Sequence, residues 1–178
     1  REGDIKYIII HYTEMNFQDA LNKLCDPLSK VSSHYLIKSS GEIYKLIDEQ
    51  YTAWHAGVSF WKEHEGLNNY SIGIELDNLG NDSFPVRQME SCLELCKRLK
   101  EEYNIPRNNI LGHSDIAPSR KIDPGIFFEW HYLASNGVGL WHNASLETNL
   151  EKIFCFGDEN SKVLTTQENI KKVGNKID

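Results

Sequence analysis

The stretch from residue 5 to residue 13 reads Ile-Lys-Tyr-Ile-Ile-Ile-His-Tyr-Thr. A short run of β-branched and aromatic residues with three consecutive isoleucines is typical of a strand that is buried on both faces of a sheet. His11 stands at the end of this run. The sequence therefore predicts a central strand whose fixed backbone delivers a histidine at its carboxyl end.

The segments that follow predict the rest of the sheet. Residues 33–37 and 42–47 flank Ser-Ser-Gly at 39–41, a pattern that indicates a β-hairpin. Residues 71–77 alternate between apolar and other side chains, which places Glu75 opposite the apolar face of its strand. Because strands and helices interleave without regular βαβ spacing, we predict an α/β fold, with a mixed central β-sheet flanked by helices.

Two helices and a change of composition complete the outline. Helices are predicted at 17–24 and, from a clear stripe of apolar side chains, at 85–103. After Trp141 the chain becomes rich in Lys and Asn. We therefore expect one domain over residues 1–142, followed over 143–178 by a linker and the incomplete start of a second, helical module.

Charge and hydropathy exclude several classes of protein. The 178 residues include 19 Lys and Arg against 26 Asp and Glu, a formal net charge of −7. An acidic chain without a Lys/Arg-rich block is unsuited to holding a phosphate backbone, so we expect no nucleic acid partner. No apolar run approaches the ~20 residues that cross a bilayer, so we expect no transmembrane segment in this chain. Because no exposed apolar periodicity suggests an interface, we expect a monomer.

Familiar catalytic motifs are missing from the sequence. It contains no Gly-x-Ser-x-Gly, no phosphate-binding loop, no Gly-x-Gly-x-x-Gly and no His-Glu-x-x-His. A cysteine nucleophile with a distant histidine stays possible in principle. For the four cysteines we expect burial as small apolar side chains instead. They are Cys25, Cys92, Cys96 and Cys155.

Residues 112–125 form the segment that is richest in side chains suited to catalysis or metal binding. It holds two prolines and two glycines, and within that stiff frame lie one His, two Asp, an Arg and a Lys. Two histidines and a carboxylate, with one position left for water, are a common ligand set of catalytic zinc. His11, His113 and Asp123 can supply that set, although spacing alone is a weak signal.

Five segments of the sequence form a recognisable set. They are Ile-Ile-Ile-His11-Tyr-Thr, Ser33-His-Tyr-Leu-Ile37, Ala53-Trp-His-Ala-Gly57, Leu67-Asn-Asn-Tyr-Ser-Ile-Gly-Ile-Glu-Leu76, and Gly112-His-Ser-Asp-Ile-Ala-Pro with Arg120-Lys-Ile-Asp-Pro-Gly125. Over about residues 4–142 they resemble one family, the type 2 N-acetylmuramoyl-L-alanine amidases. These are zinc enzymes that cleave peptidoglycan between the lactyl group of muramic acid and the first L-alanine of the stem peptide, and the family includes animal peptidoglycan recognition proteins.

The resemblance implies a role for each matching residue. It implies that His11, His113 and Asp123 bind zinc, that Glu75 is the catalytic glutamate and that Lys121 is its basic partner. The strand pattern agrees on independent grounds, because it turns Glu75 away from the apolar face. In this interpretation zinc lowers the pKa of a bound water, and Glu75 transfers the protons.

Three further residues are candidates for binding peptidoglycan or muropeptides. Arg120 suits a carboxylate of the stem peptide, although a solvated surface charge is nearly as good an explanation. Trp54 and His55 can line the cleft and contact sugar or peptide, while core packing explains Trp54 about equally well.

The resemblance also bears on location and leaves two rival functions open. The long C-terminal extension is similar to the branch that resides in the bacterial cell envelope, in the periplasm or at the outer membrane, and that adds a peptidoglycan-binding helical module. One rival is a non-catalytic peptidoglycan recognition protein. The other is a cysteine peptidase acting on the same cell-wall substrate through Cys25.

Overall fold

Seven strands are found in the computed structural model, which describes residues 1–141 and residue 168. They are β1 (Tyr7–Tyr12), β2 (Tyr35–Ile37), β3 (Ile43–Lys45), β4 (Phe60–Trp61), β5 (His64–Glu65), β6 (Ser71–Leu76) and β7 (Ile110–Gly112). The predicted linker and second module over 143–178 lie outside the described residues, apart from residue 168.

Five of these strands form one sheet in the order β3-β2-β6-β1-β7. The pairs β2–β6, β6–β1 and β1–β7 are parallel, and β3 runs antiparallel to β2. β4 and β5 form a separate small hairpin. The predicted mixed sheet is confirmed, and the Ile-rich strand β1 lies inside it with every residue buried.

Over residues 1–141, four α-helices accompany the sheet. They are α1 (Phe17–Cys25), α2 (Val86–Glu102), α3 (His113–Ile116) and α4 (Trp130–Ser135), and three short 3-10 helices occur at Pro27–Ser29, Leu67–Asn69 and Arg107–Asn109. The long predicted helix is therefore confirmed within one residue at each end. Within the described part of the chain, no helix combines the length and the apolarity needed to span a bilayer.

The two faces of the sheet are covered differently. Ile8 and Ile10 of β1 belong to the larger apolar core, in which α2 contributes Leu93, Cys96 and Leu99. Ile9 lies on the opposite face in a smaller core, with Leu111 and Ile116. Because side chains alternate along a strand, His11 shares the face of Ile9 rather than that of α2.

The cysteines only partly follow the expectation. Cys92 and Cys96 are buried in α2, as expected, whereas Cys25 is exposed. The expectation of burial was wrong for Cys25 because it ends α1, an amphipathic helix in which only Ala20 is buried. Cys155 lies outside the described residues.

Candidate metal centre

Three neighbouring parallel strands bring their carboxyl ends to one edge of the sheet. His11 in β1 pairs in register with Glu75 in β6, so both side chains leave the same face side by side. On the other side of β1, Ile10 pairs with Gly112, the last residue of β7, and His113 follows at once. Strand pairing thus unites residues that are far apart in sequence.

Three donor atoms converge at this edge. His11 Nδ1 lies 3.0 Å from His113 Nδ1 and 3.0 Å from Asp123 Oδ2, and His113 Nδ1 lies 3.1 Å from Asp123 Oδ2. All three residues are buried. Separations of this size suit three ligands that share one ion through bonds of about 2.0–2.2 Å. The donor set therefore fits a divalent metal.

Backbone contacts orient the second histidine and the aspartate. His113 Nε2 lies 3.0 Å from the carbonyl oxygen of Ala56, which can only accept, so Nε2 carries the hydrogen and Nδ1 presents its lone pair to the site. The amide of Ser114 donates to the carbonyl oxygen of Asp123 at 2.9 Å and holds the loop against α3. Such outer contacts keep metal ligands in place.

The protonation states also suit a metal. Burial lowers the pKa of His11 to about 4, so its imidazole is neutral at pH 7. Burial works against ionisation of Asp123, but its close contacts with the two imidazoles outweigh that effect and hold the pKa of the carboxyl below its ordinary value. Neutral imidazoles and an ionised carboxylate are the forms that bind metal ions.

Glu75 lies beside this group, at the position in register with His11. Burial, reinforced by the negative charge of Asp123, raises the pKa of Glu75 to about 8, although Lys121 and Lys23 oppose the shift. Its Oε2 is buried and has no hydrogen-bond partner among the described residues. A carboxyl group poised near neutral pH and free of structural bonds is suited to proton transfer.

A cleft of about 440 Å³ opens over these residues. Lys121, Arg120 and Trp54 line it, as does His55, and Trp54 is 56% exposed. Core packing therefore does not account for Trp54. The structure brings all eight predicted site residues to this cleft, while their roles toward a substrate stay predictions.

Two of these residues have partners that the sequence did not indicate. Arg120 donates from Nη2 to the carbonyl oxygens of Ala56 and Val58, both at 2.8 Å, so it also anchors the opposite loop. His55 is buried, with Nδ1 3.0 Å from His11 Nε2. Its ring therefore packs behind a predicted metal ligand.

Sequence reasoning missed Lys23 as a residue of the cleft. It lies in the last turn of α1, is exposed, and lines the same cavity. The one signal available was its place in a short helix directly after the strand that carries His11. Nothing in that pattern indicates that the helix borders the site.

Comparison with known proteins agrees with this geometry. Residues 1–126 match the family model described as N-acetylmuramoyl-L-alanine amidase. The chain is 40% identical over 156 residues to the N-acetylmuramoyl-L-alanine amidase AmiD of Escherichia coli, which covers 79% of this chain but only 56% of that protein. It is 36% identical over 152 residues to the 1,6-anhydro-N-acetylmuramyl-L-alanine amidase AmpD of Haemophilus influenzae, covering 74% of this chain and 83% of the relative.

Solved structures give the same answer. The E. coli AmiD complex with anhydro-N-acetylmuramic acid-L-Ala-D-gamma-Glu-L-Lys superposes with a TM-score of 0.84 at 34% identity, covering 100% of this chain and 74% of that one. AmpDh3 of Pseudomonas aeruginosa, in complex with anhydromuramic pentapeptide, gives 0.83 at 29% identity, with 100% and 77% covered. With the family model matching well over half of its residues, this chain belongs to the type 2 N-acetylmuramoyl-L-alanine amidase family.

Proposed function

We propose that this chain is a zinc-dependent N-acetylmuramoyl-L-alanine amidase, which hydrolyses the amide between the muramic acid lactyl group and L-alanine of the peptidoglycan stem. The observation that carries the proposal is the convergence of donor atoms of His11, His113 and Asp123 within about 3 Å of one another. Beside them lies Glu75, whose Oε2 has no hydrogen-bond partner within the described part of the chain. A set of metal ligands next to a carboxyl group that can transfer protons is what metal-assisted amide hydrolysis requires.

Zinc is the metal that this donor set favours. Two imidazole nitrogens and one carboxylate suit zinc, whereas magnesium and calcium prefer sites made of oxygen. His11 Nδ1, His113 Nδ1 and Asp123 Oδ2 would hold the ion. When bound, zinc would supply a Lewis acid that favours the ionised form of a coordinated water and polarises the scissile carbonyl.

Glu75 is the proton carrier in this proposal. Its carboxylate accepts a proton from the attacking water as the new C–O bond forms, and the acid then gives a proton to the L-alanine nitrogen as the C–N bond breaks. In the metal-free protein the pKa of Glu75 is about 8, and the positive charge of a bound metal ion would favour the carboxylate form that accepts the first proton. Because Oε2 accepts no hydrogen bond from the described residues, it keeps its capacity to accept one from the water.

Lys121 and the cleft walls serve the substrate. The Lys121 ammonium stabilises negative charge on the carbonyl oxygen in the tetrahedral intermediate. Arg120 uses only Nη2 for its hydrogen bonds within the described part of the chain, so the rest of its guanidinium can take a stem-peptide carboxylate. Trp54 and His55 are assigned to substrate contact, and the exposed Trp54 ring offers an apolar face to a sugar.

Mass spectrometry of muropeptides tests the proposal directly. The protein, its chelated form and the chelated form resupplied with zinc would each digest the same muropeptides. We expect release of a peptide that begins with L-alanine, abolished by the chelator and restored by zinc. Binding of muropeptide without any cleavage would instead favour a recognition protein. Cleavage that ignores the chelator but stops on alkylation of Cys25 would favour the cysteine peptidase.

Location and organisation follow the same resemblance. We place the protein in a bacterial cell envelope as a monomer, with residues 1–142 as the zinc amidase domain and 143–178 as a linker leading into a peptidoglycan-binding helical module. Support comes from bacterial AmiD and from the two muropeptide complexes, whose superpositions cover 100% of this chain. Cell fractionation and light scattering of the purified protein would test location and oligomeric state.

A further inference from the structure

The nitrogen of His11 that faces away from the metal centre begins a chain of hydrogen bonds. His11 Nε2 lies 3.0 Å from His55 Nδ1, and His55 Nε2 lies 3.2 Å from the hydroxyl of Ser71. The Ser71 hydroxyl in turn lies 2.6 Å from the carbonyl oxygen of Leu67. This series of hydrogen bonds thus connects the metal centre to the protein backbone through buried side chains.

The direction of every hydrogen bond in this series follows from its final acceptor, the carbonyl oxygen of Leu67. A carbonyl oxygen only accepts, so the Ser71 hydroxyl donates its hydrogen to Leu67 and its oxygen accepts from His55 Nε2. A neutral imidazole has one donor and one acceptor, which makes His55 Nδ1 the acceptor for the Nε2 hydrogen of His11. His11 Nδ1 is therefore left without a hydrogen and directs its lone pair at His113 and Asp123.

We propose that His55 is a positioning residue, which fixes the tautomer and ring orientation of His11 and thereby sets the metal affinity of the site. This inference rests on the metal centre of the proposed function and gives His55 a second task, beside the substrate contact already assigned to it. Partners behind a ligand commonly control affinity in this way, because a ligand that must change tautomer or rotate binds its metal less well.

One short segment orients both imidazole ligands. The side chain of His55 serves His11, and the carbonyl oxygen of the next residue, Ala56, serves His113. The amides of residues 55 and 56 both donate to Asn68 Oδ1, at 3.0 and 2.7 Å, so this segment is itself clamped. A single bonded frame thus determines which nitrogen each histidine offers.

The sheet beneath His55 is shaped to admit its ring. A Cβ at Gly73 would lie 2.4 Å from His55 Cγ, a distance at which one of the two must shift. The Gly73 amide is bound to His34 Nδ1 at 3.0 Å, which keeps this part of β6 from moving away. The bare backbone of Gly73 therefore leaves room for an imidazole held at bonding distance from His11.

A pair of variants separates hydrogen bonding from packing. In His55→Asn the amide oxygen takes the place of Nδ1 and can still accept from His11, whereas in His55→Leu no acceptor is left. Zinc affinity would be measured by chelator competition on the full chain at fixed pH. We expect a loss of about 10- to 100-fold in His55→Leu and a clearly smaller loss in His55→Asn. Equal zinc affinity in His55→Leu and the wild type would overturn the proposal.

Ser71→Ala keeps the test decisive should His55→Leu fail to fold. It touches neither the metal centre nor His11, yet it removes the acceptor that dictates the His55 tautomer. We expect weaker zinc binding and loss of the Nε2-protonated signature of His11 in nitrogen-15 NMR of the metal-free protein. An unchanged His11 tautomer and zinc affinity would contradict the inference. A wild type that binds no zinc would instead refute the metal centre of the proposed function.

Discussion

Ile74 and Glu75 are neighbours on β6 whose side chains lie on opposite sides of the sheet, and the two sides differ in the side chains that surround them. Ile74 is fully buried in the apolar core under α2, together with Ile10 of the adjacent strand. Glu75 faces the cleft beside His11, with one oxygen buried and unpartnered. The α2 face is filled with side chains that stabilise the fold, whereas the other face has a smaller apolar core and, at its carboxyl-terminal edge, polar groups that burial disfavours.

This contrast, taken together with the three converging donor atoms beside Glu75, indicates the functional side without reference to any relative. Native proteins leave few buried polar atoms unsatisfied, so a carboxyl oxygen without a partner requires an explanation. On the α2 face a substitution should lower stability and spare the chemistry of each folded molecule. On the cleft face it should abolish chemistry and leave stability unchanged or higher. The predictions below test that division.

The largest expected effect is on turnover, from Glu75→Gln. The amide keeps the shape of the carboxyl but cannot transfer protons, so we expect kcat to fall by about 10²–10⁴-fold while zinc content stays near that of the wild type. Muropeptide turnover and metal analysis measure the two quantities. Glu42→Gln on the exposed β2–β3 hairpin is the matched control, expected to be fully active. A Glu75→Gln variant with wild-type turnover would remove the assigned role.

The second largest effect is on stability, from Ile74→Ala on the opposite face. Truncating a fully buried isoleucine leaves a cavity, and we expect the free energy of unfolding to fall by about 2–5 kcal/mol. Turnover per folded molecule should stay within severalfold of the wild type. Denaturant unfolding and active-site titration give both values. Ile43→Ala at the sheet edge, where the side chain is 42% exposed, should cost much less.

Glu75 also predicts how stability depends on pH in the metal-free protein. Its folded pKa of about 8 lies above the ordinary value of 4.5, so its favourable contribution is fully present below about pH 4.5 and is lost as the pH rises through about 8. Glu75→Gln has no such titration. The stability difference between variant and wild type should therefore shift in favour of the variant across that range. Equal pH dependence of the two proteins would show that Glu75 titrates normally.

The sequence predicted the candidate metal ligands, and it predicted their convergence only through the family resemblance, not through any local pattern. Residue types and motif resemblance singled out His11, His113 and Asp123. That His11 meets His113 depends on β1 pairing in parallel with β7, a contact between residues 102 apart that no local pattern contains. Strand β1, in contrast, could be predicted from local sequence, because its three consecutive isoleucines indicate burial on both faces.

What escaped prediction was the set of partners that each residue finds. The sequence indicates Arg120 as a candidate for binding a carboxylate. Its hydrogen bonds to two backbone carbonyl oxygens, however, depend on a loop about 60 residues earlier in the chain. His55 follows as a cleft residue, yet its bond to His11 requires the glycine at position 73 beneath it. Local patterns determine elements, whereas such partners arise only from packing.

The smallest expected effect is on KM, from Lys23→Ala at the outer rim of the cleft. Lys23 is exposed, forms no ion pair within the described part of the chain, and lies close enough to Glu75 to lower the pKa of that carboxyl. Because stem peptides carry carboxylates, we expect Lys23→Ala to raise KM about two- to fivefold, the effect of losing an exposed ion pair worth ~0.5–1 kcal/mol. Its kcat should change little, because a solvated charge at the rim contributes alike to ground state and transition state.

Salt provides the independent check on Lys23, because exposed charges are screened. The KM difference between wild type and Lys23→Ala should shrink as ionic strength rises, and Lys97→Ala, which removes an equal charge from α2 on the far face, should show no difference at any salt concentration. A KM effect that is insensitive to salt would mean that Lys23 acts by shaping α1 rather than by its charge. In that case the cleft would owe its attraction for stem-peptide carboxylates to Arg120, and Lys23 would contribute through the packing of α1 rather than through its charge.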